Sequence, residues 1–255
     1  MQIKVMVASH KPYRMPEDKM YLPLFVGAAG KENIPGFFRD DEGENISEKN
    51  PSFCELTGLY FLWKNHRDAD VYGLCHYRRY FAKGCFLQKK EKRLLTKKDV
   101  ERRMEKADAV LPKKRHYFVE TRQQQYVHAH HAQDLQATEK VLAEKYPAYL
   151  PAWKKMLQSR SGHIFNMFLM KKEVFEGYCA WLFDVLFDVE KGLDISGYSP
   201  SDQRVFGYLA ERLMDVYLDT NRIRYTQCPV VNLERQHWLQ KGVRFLKRKF
   251  ARNKE

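Results

Sequence analysis

Apolar and polar positions along this chain change period several times, and each change marks an element. Residues 2–8, QIKVMVA, alternate polar and apolar and then run apolar, which predicts an opening strand. The polar SHKPYRMPEDK that follows carries two prolines and reads as a loop. A second polar loop spans residues 36–51, GFFRDDEGENISEKNP. A helix then starts, with Ser52 and Glu55 at capping-box spacing after Pro51. Phe53, Leu56, Leu59, Tyr60 and Trp63 recur at helical spacing, which predicts a core stripe. Residues 71–75 form a short apolar run that reads as a buried strand emptying into His76, Tyr77, Arg78, Arg79 and Tyr80.

The later pattern continues the alternation. Residues 109–111 predict a strand ended by Pro112, and residues 122–145 a helix, with Pro147 and Pro151 interrupting the chain after it. HIFNMFLM, residues 163–170, reads as another buried strand. A helix over 172–186 carries Val174, Phe175, Tyr178, Trp181, Leu182 and Val185 on one side, and a last helix covers 202–218. Strands alternating with helices predict an α/β fold with one mixed, mostly parallel central sheet flanked by helices. No repeat or low-complexity linker appears. The expected organisation is one catalytic-type domain, residues 1–240, and a basic tail, residues 241–255.

Charge adds a direction. Lys and Arg outnumber Asp and Glu by 45 to 32, a formal net charge of +13, which favours anionic partners. Nucleic acid is not expected, because the aromatics fall mainly on core stripes instead of being interleaved with the basic residues. A non-catalytic binder of nucleotide sugar or nucleic acid is the competing class. The five cysteines form no CxxC pair and read as reduced thiols. MQIKVMVASH lacks a signal-peptide pattern, so a cytoplasmic protein is expected. In the tail, Val243, Leu246 and Phe250 fall at helical spacing among basic residues, which suits either an anionic membrane surface or a solvated terminus.

Four polar segments abut predicted core elements: Ser9–His10–Lys11, the group Asn45, Ser47, Lys49 and Asn50, His76 to Arg79, and Ser201 to Arg204. In a parallel sheet the first and third share the carboxyl edge, where ligands bind in α/β proteins. Two arginines there suit phosphate oxygens, although an Arg pair after a strand also fits a solvated turn. The helix start near Ser52 adds backbone N–H groups, and together these would make a crevice for a nucleotide diphosphate. Asp68 and Asp70 spell Asp-x-Asp but precede their strand and read as a turn; Asp40, Asp41 and Glu42 read as a solvated acidic run. His128, His131 and Asp134 would share a helix face, as a metal set or as loop and acceptor-site residues, and His130 lies beside them.

Long continuous segments now carry a resemblance: ENISEKNPSFCELTGLYFLWKN, HYRRYF, FNMFLMKKEVFEGYCAWLFDVL and RVFGYLAERLMDVYL. Over residues 2–238 the chain resembles a bacterial domain-of-unknown-function family found in capsular polysaccharide and exopolysaccharide gene clusters. Its members are regarded as glycosyltransferases related to the GT-A fold. The resemblance implies a cytoplasmic hexosyltransferase, peripheral on the inner face of the plasma membrane. It would move a galactose form from a UDP-sugar to a lipid-linked glycan. Ser9, His10, Lys11, Asn45, Ser47, Asn50, His76, Tyr77, Arg78 and Arg79 would then hold the donor diphosphate. Asn166, Met167, Gln203, Arg204, His131 and Asp134 would face the sugar or acceptor. Asp202 would be the catalytic base, with Glu211 as second candidate; Asp202 also suits a helix N-cap. Where GT-A enzymes carry Asp-x-Asp this chain has HYRR. A divalent cation, Mn²⁺ or Mg²⁺, would therefore rest on His76, or the two arginines would take its place.

Overall fold

The computed structural model describes residues 1–84 and 88–234, so the predicted tail lies outside the described residues. In chain order its strands are β1 (Ile3–Ser9), β2 (Tyr21–Phe25), β3 (Phe38–Arg39), β4 (Val71–His76), β5 (Arg79–Phe81), β6 (Ala109–Pro112), β7 (Arg115–His116), β8 (Ser161–Gly162), β9 (Phe168–Lys171), β10 (Tyr225–Cys228) and β11 (Val230–Asn232). The helices are α1 (Asn50–Phe53), α2 (Leu56–Asn65), α3 (Lys97–Met104), α4 (Arg122–Ala129), α5 (Ala132–Lys145), α6 (Leu150–Gln158), α7 (Lys172–Gly192) and α8 (Val205–Thr220).

The main sheet runs β10-β6-β9-β4-β1-β2-β3. Its neighbours pair in parallel except β9, which is antiparallel to both β4 and β6. β5 folds back from β4 as a tight hairpin with Tyr77 and Arg78 at its tip, and it pairs with β11. The strands are apolar nearly throughout because both faces are covered. Met6, Tyr72, Leu74, Ala109, Leu111, Phe168 and Met170 pack toward the side of α2, α7 and α8. Val5, Val7, Val71, Cys75, Val110 and Leu169 pack toward α3 and β5. The predicted stripe on α2 is in the core, with Leu56 and Leu62 fully buried.

The structure departs from the sequence expectations in local geometry. Pro51 opens only the short α1, because Cys54 adopts a left-handed φ of 54° and breaks the chain there. Ser52 therefore lies inside a helix, bonded to Lys49 O at 3.2 Å, and Glu55 does not close a capping box with it. Residues 122–145 make two helices, interrupted at His130 and His131, both with extended backbone. Of HIFNMFLM only Phe168 onward is strand; Phe165 and Asn166 have φ of 82° and 50°. β2 was hidden by Pro23, which is tolerated because β3 pairs only with Leu24 and Phe25.

Asp40 corrects the expectation of a solvated acidic run. It is completely buried and accepts four hydrogen bonds: Gly27 N at 2.8 Å, Ala28 N at 2.9 Å, Ser47 Oγ at 2.5 Å and Thr57 Oγ1 at 2.5 Å. One carboxylate thus ties the loop after β2 to α2. Gly27 is required there: its φ is +63°, and a Cβ would lie 2.5 Å from Asn50 Oδ1. Asp68 and Asp70 do form a turn at the amino end of β4, with Lys4 Nζ 2.5 Å from Asp68 and Gln2 N donating to Asp70 at 2.7 Å.

Asp40→Ala leaves four buried donors without their acceptor. The expected loss is about 3 kcal/mol of unfolding free energy, read as a lower urea midpoint at unchanged slope. A loss below about 0.5 kcal/mol, the range of ordinary surface changes, would mean that the donors re-pair elsewhere.

Candidate functional site

The carboxyl ends of β1 and β4 lie side by side, with Ala8 opposite His76. Ser9 Oγ donates to Lys11 O at 2.7 Å, a local turn that uses the hydroxyl and leaves His10 and Lys11 exposed. Tyr77 N donates to Ala8 O at 3.0 Å and docks the β4–β5 hairpin onto β1. The buried Tyr77 ring meets His10 and Tyr13 edge-on at 5.3 and 4.9 Å, with Lys11 Nζ 5.1 Å from its centre. Partial burial, then Lys11, Arg78 and Lys31, pull the His10 pKa below its usual value. That is the signature of a local excess of positive charge. One carboxylate already answers it: Glu234 lies 3.7 Å from Lys11 Nζ and 3.7 Å from Arg78 Nη1.

Beside this cluster the left-handed pair Phe165–Asn166 leads into β9. His76 Nε2 donates to Phe165 O at 2.7 Å, and Phe165 N donates to Glu211 Oε1 at 2.9 Å. Asn166 Nδ2 donates to Glu55 Oε1 at 2.8 Å and Gly207 O at 3.0 Å, while its buried Oδ1 has no partner among the described residues. The Arg79 guanidinium covers the Phe165 ring at 4.5 Å. Burial and Arg78 lower the Arg79 pKa, with Glu55 and Glu211 opposing them, so Arg79 is a cation short of solvent. Burial raises the Glu211 carboxyl above the usual range, against the pull of Arg212 and the Phe165 N–H. Arg204 closes the wall, its Nε donating to Cys54 Sγ at 3.1 Å. That thiol is pushed up to about 11, first by burial and then by Glu55, so it stays protonated.

With this geometry in view, the comparisons are specific. A family profile, the domain of unknown function DUF4422, matches residues 4–222. The chain belongs to the DUF4422 family. The apo structure of the bifunctional glycosyltransferase WbbM superposes with a TM-score of 0.85 at 30% identity, over 92% of this chain and 46% of that protein. The chain thus spans about half the length of WbbM. No curated protein matches it. The mixed, mostly parallel sheet flanked by helices is a GT-A-like α/β fold.

The remaining predicted residues of the DUF4422 chain have partners of their own. Ser47 is bound to the Asp40 carboxylate, and Asn45 donates to Asp41 O and Gly43 O, both at 3.0 Å. Asn50 donates to Cys54 O at 2.8 Å and Thr57 Oγ1 at 3.0 Å. Ser47 and Asn50 thus tie the loop after β2 to α2, and Asn45 closes its own turn. Met167 is a core residue, 1% exposed. Asp134 is buried and accepts from Tyr126 Oη at 2.8 Å and Tyr198 Oη at 2.6 Å, so it is a structural carboxylate. His131 stacks on Tyr198 at 4.0 Å, and Gln203 donates to Tyr198 O at 3.3 Å. Asp202 accepts from Ser199 Oγ at 2.7 Å and His130 Nδ1 at 3.1 Å, and those two bonds hold it below the usual carboxylate range.

A cation site at His76 does not assemble from these residues. Its Nε2 is spent on Phe165 O, and the nearest carboxylate oxygen, on Glu55, is 4.0 Å away. Among the described residues no group of three or more His, Cys, Asp and Glu could hold a metal ion. His128 is exposed and bonded to Glu120 at 3.2 Å, away from Asp134.

Sequence reading missed Glu55, taken for a cap, and the lock behind the Phe165 turn. There Asp215 accepts from His163 Nδ1 and Arg122 Nη1, both at 2.5 Å, and from His163 N at 3.1 Å. Arg122 Nη2 also donates to Glu211 O at 3.1 Å. The available signal was a pair of acids on α8, Glu211 and Asp215, four apart and so on one face of a largely apolar helix.

Burial alone would raise the Asp215 pKa, but His163 and Arg122 outweigh it and hold it down. Its contribution to stability is therefore complete above the ordinary carboxylate value of 3.8 and lost as pH falls through the lowered folded value. Asp215→Asn strands the buried Arg122 charge and is expected to cost about 3 kcal/mol in urea unfolding at neutral pH. The gap from wild type should narrow in acid; a gap that persists there would remove the charge from the explanation.

Proposed function

We propose that this chain is a glycosyltransferase that moves a sugar, a galactose form, from a UDP-sugar to a lipid-linked capsular or exopolysaccharide glycan intermediate. The observation that carries the reading is a juxtaposition. The cations of the β1 and β4 ends adjoin a carboxyl of raised pKa across the Phe165–Asn166 turn. Family membership and the likeness to WbbM support the same class of reaction.

In this reading Lys11, Arg78 and Arg79 neutralise the donor diphosphate, with His10 and Tyr77 beside it. Glu234 marks where an anion sits between Lys11 and Arg78. Charge grows on the diphosphate as the glycosidic bond breaks, so fixed cations there stabilise the transition state more than the ground state. Arg79 is the strongest contributor, because it is half-buried and poorly compensated. Glu211 takes the proton of the acceptor hydroxyl. A carboxyl raised toward neutrality is a better base than one held low, which favours Glu211 over Asp202. Asn166, Arg204 and Glu55 line the sugar side. The basic run from Lys241 to Lys254 suits an enzyme working on a lipid-linked acceptor at the cytoplasmic membrane face.

The test is a thermal-shift and transfer assay on wild type and two variants. UDP and a UDP-galactose form should raise the wild-type midpoint by mass action. Arg79→Ala should weaken UDP binding by about tenfold, the loss of one charge-assisted contact. Glu211→Gln should lower kcat by about 10²-fold or more while leaving the midpoint at neutral pH equal or higher, because it removes a costly buried ionisation. UDP binding unaffected by Arg79→Ala, or full turnover in Glu211→Gln, would sink the assigned roles.

A further inference from the structure

A second site lies away from the crevice. A cavity of about 360 Å³ opens between α3, the segment after β5 and the edge strand β10, lined among others by Lys83, Asp99, Arg102, Arg103, Lys106 and Thr226. Strands β6 and β9 separate β10 from β4, so the cavity is not part of the site at His76.

Its electrostatics are lopsided, with four cations to one carboxylate. Asp99 accepts from Thr96 N at 3.0 Å and Thr96 Oγ1 at 2.6 Å and so caps α3. It also holds Lys83 Nζ at 2.9 Å and Arg102 Nη2 at 3.1 Å. Burial opposes its ionisation, but Thr96 and Lys83 outweigh that and hold the carboxyl at about 2. Asp99 therefore stays charged and fixes Lys83 and Arg102 in place. Arg103 and Lys106 form no ion pair among the described residues. The Thr226 hydroxyl, on β10, is buried without a hydrogen-bond partner there. Arg103 on α3 and Lys106 just beyond its end thus bring two uncompensated cations to one cavity, with β10 as its far wall.

We propose that this cavity binds a phosphate group, with Arg103 and Lys106 as its principal charged contacts. A phosphate offers acceptor oxygens in every direction, which matches cations arriving from the α3 side and from the segment after β5, and the arginine fork pairs with two of them at once. The phosphate belongs either to a soluble ester or to a lipid headgroup; both present the same oxygens.

The experiment uses the full chain carrying Lys11→Ala, Arg78→Ala and Arg79→Ala together, so that the crevice has lost the cations that would hold an anion there. Inorganic pyrophosphate is titrated calorimetrically, and vesicles of phosphatidylglycerol in phosphatidylcholine are tested by sedimentation. Arg103→Ala with Lys106→Ala is compared with a charge-matched control, Lys97→Ala with Lys98→Ala, at the exposed start of the same helix. Affinity should fall about tenfold in the cavity variant and hold in the control. A fall for pyrophosphate alone assigns a soluble phosphate, a fall for vesicles alone a lipid headgroup, and a fall for both the phosphate itself. No fall with either probe, or an equal fall in the control, overturns the proposal. Lys106→Gln, which alters only an exposed side chain, repeats the comparison if the double variant folds poorly, and a fall of about threefold is expected.

Discussion

The crevice depends on one backbone constraint, the left-handed pair Phe165–Asn166 that feeds the antiparallel strand into a parallel sheet. Non-glycine residues in that region cost of order 1 kcal/mol or more each and persist only where their surroundings over-determine them. Here the surroundings do so from three directions. His76 takes the Phe165 carbonyl, Glu211 the Phe165 amide, and Glu55 the Asn166 side chain. Cys54, also left-handed, breaks α1 from α2 and so places Glu55 within reach. The turn needs these side chains, and by needing them it gathers a histidine and two carboxylates at the sheet's carboxyl edge.

Two carboxylates of opposite character flank that turn. Asp215 is fully answered by His163 and Arg122, so it stays ionised and braces the turn from behind. Glu211 accepts from Phe165 N and from Arg212 Nη1 at 3.2 Å, but burial outweighs both and its pKa rises. A neighbouring excess of cations on β1 and the β4–β5 hairpin completes the contrast. Beneath it Asp40 fixes the loop after β2, which keeps Gly27 and Asn50 in contact. Asp40 and Asp215 are answered by fixed donors, whereas the cluster of Lys11 and Arg78 carries more positive charge than its one carboxylate, Glu234, answers.

Much of the frame was legible in the chain. Apolar runs bounded by polar segments announced β1, β4, β6 and α7, because strands covered on both faces and long core helices leave strong patterns. The carboxyl edge was readable too, since HYRR directly follows an apolar strand. What could not be read were the positions where a local rule yields to tertiary contacts. Glu55 has the spacing of a cap and works as a partner of Asn166. Asp134 looks like a surface ligand and is a buried acceptor for two tyrosines. Asp40 sits in a run of acids that reads as solvated, yet it is enclosed by donors drawn from three segments. In each case the deciding partner is distant in sequence or lies in a loop, where periodicity carries no information.

Hydrogen–deuterium exchange of the full chain, with and without UDP, tests the central claim most directly. Bound UDP should protect residues 9–13, 76–79 and 163–167 together, because the cation cluster and the strained turn form one site. Protection confined to other segments, or none at saturating UDP, would contradict the account.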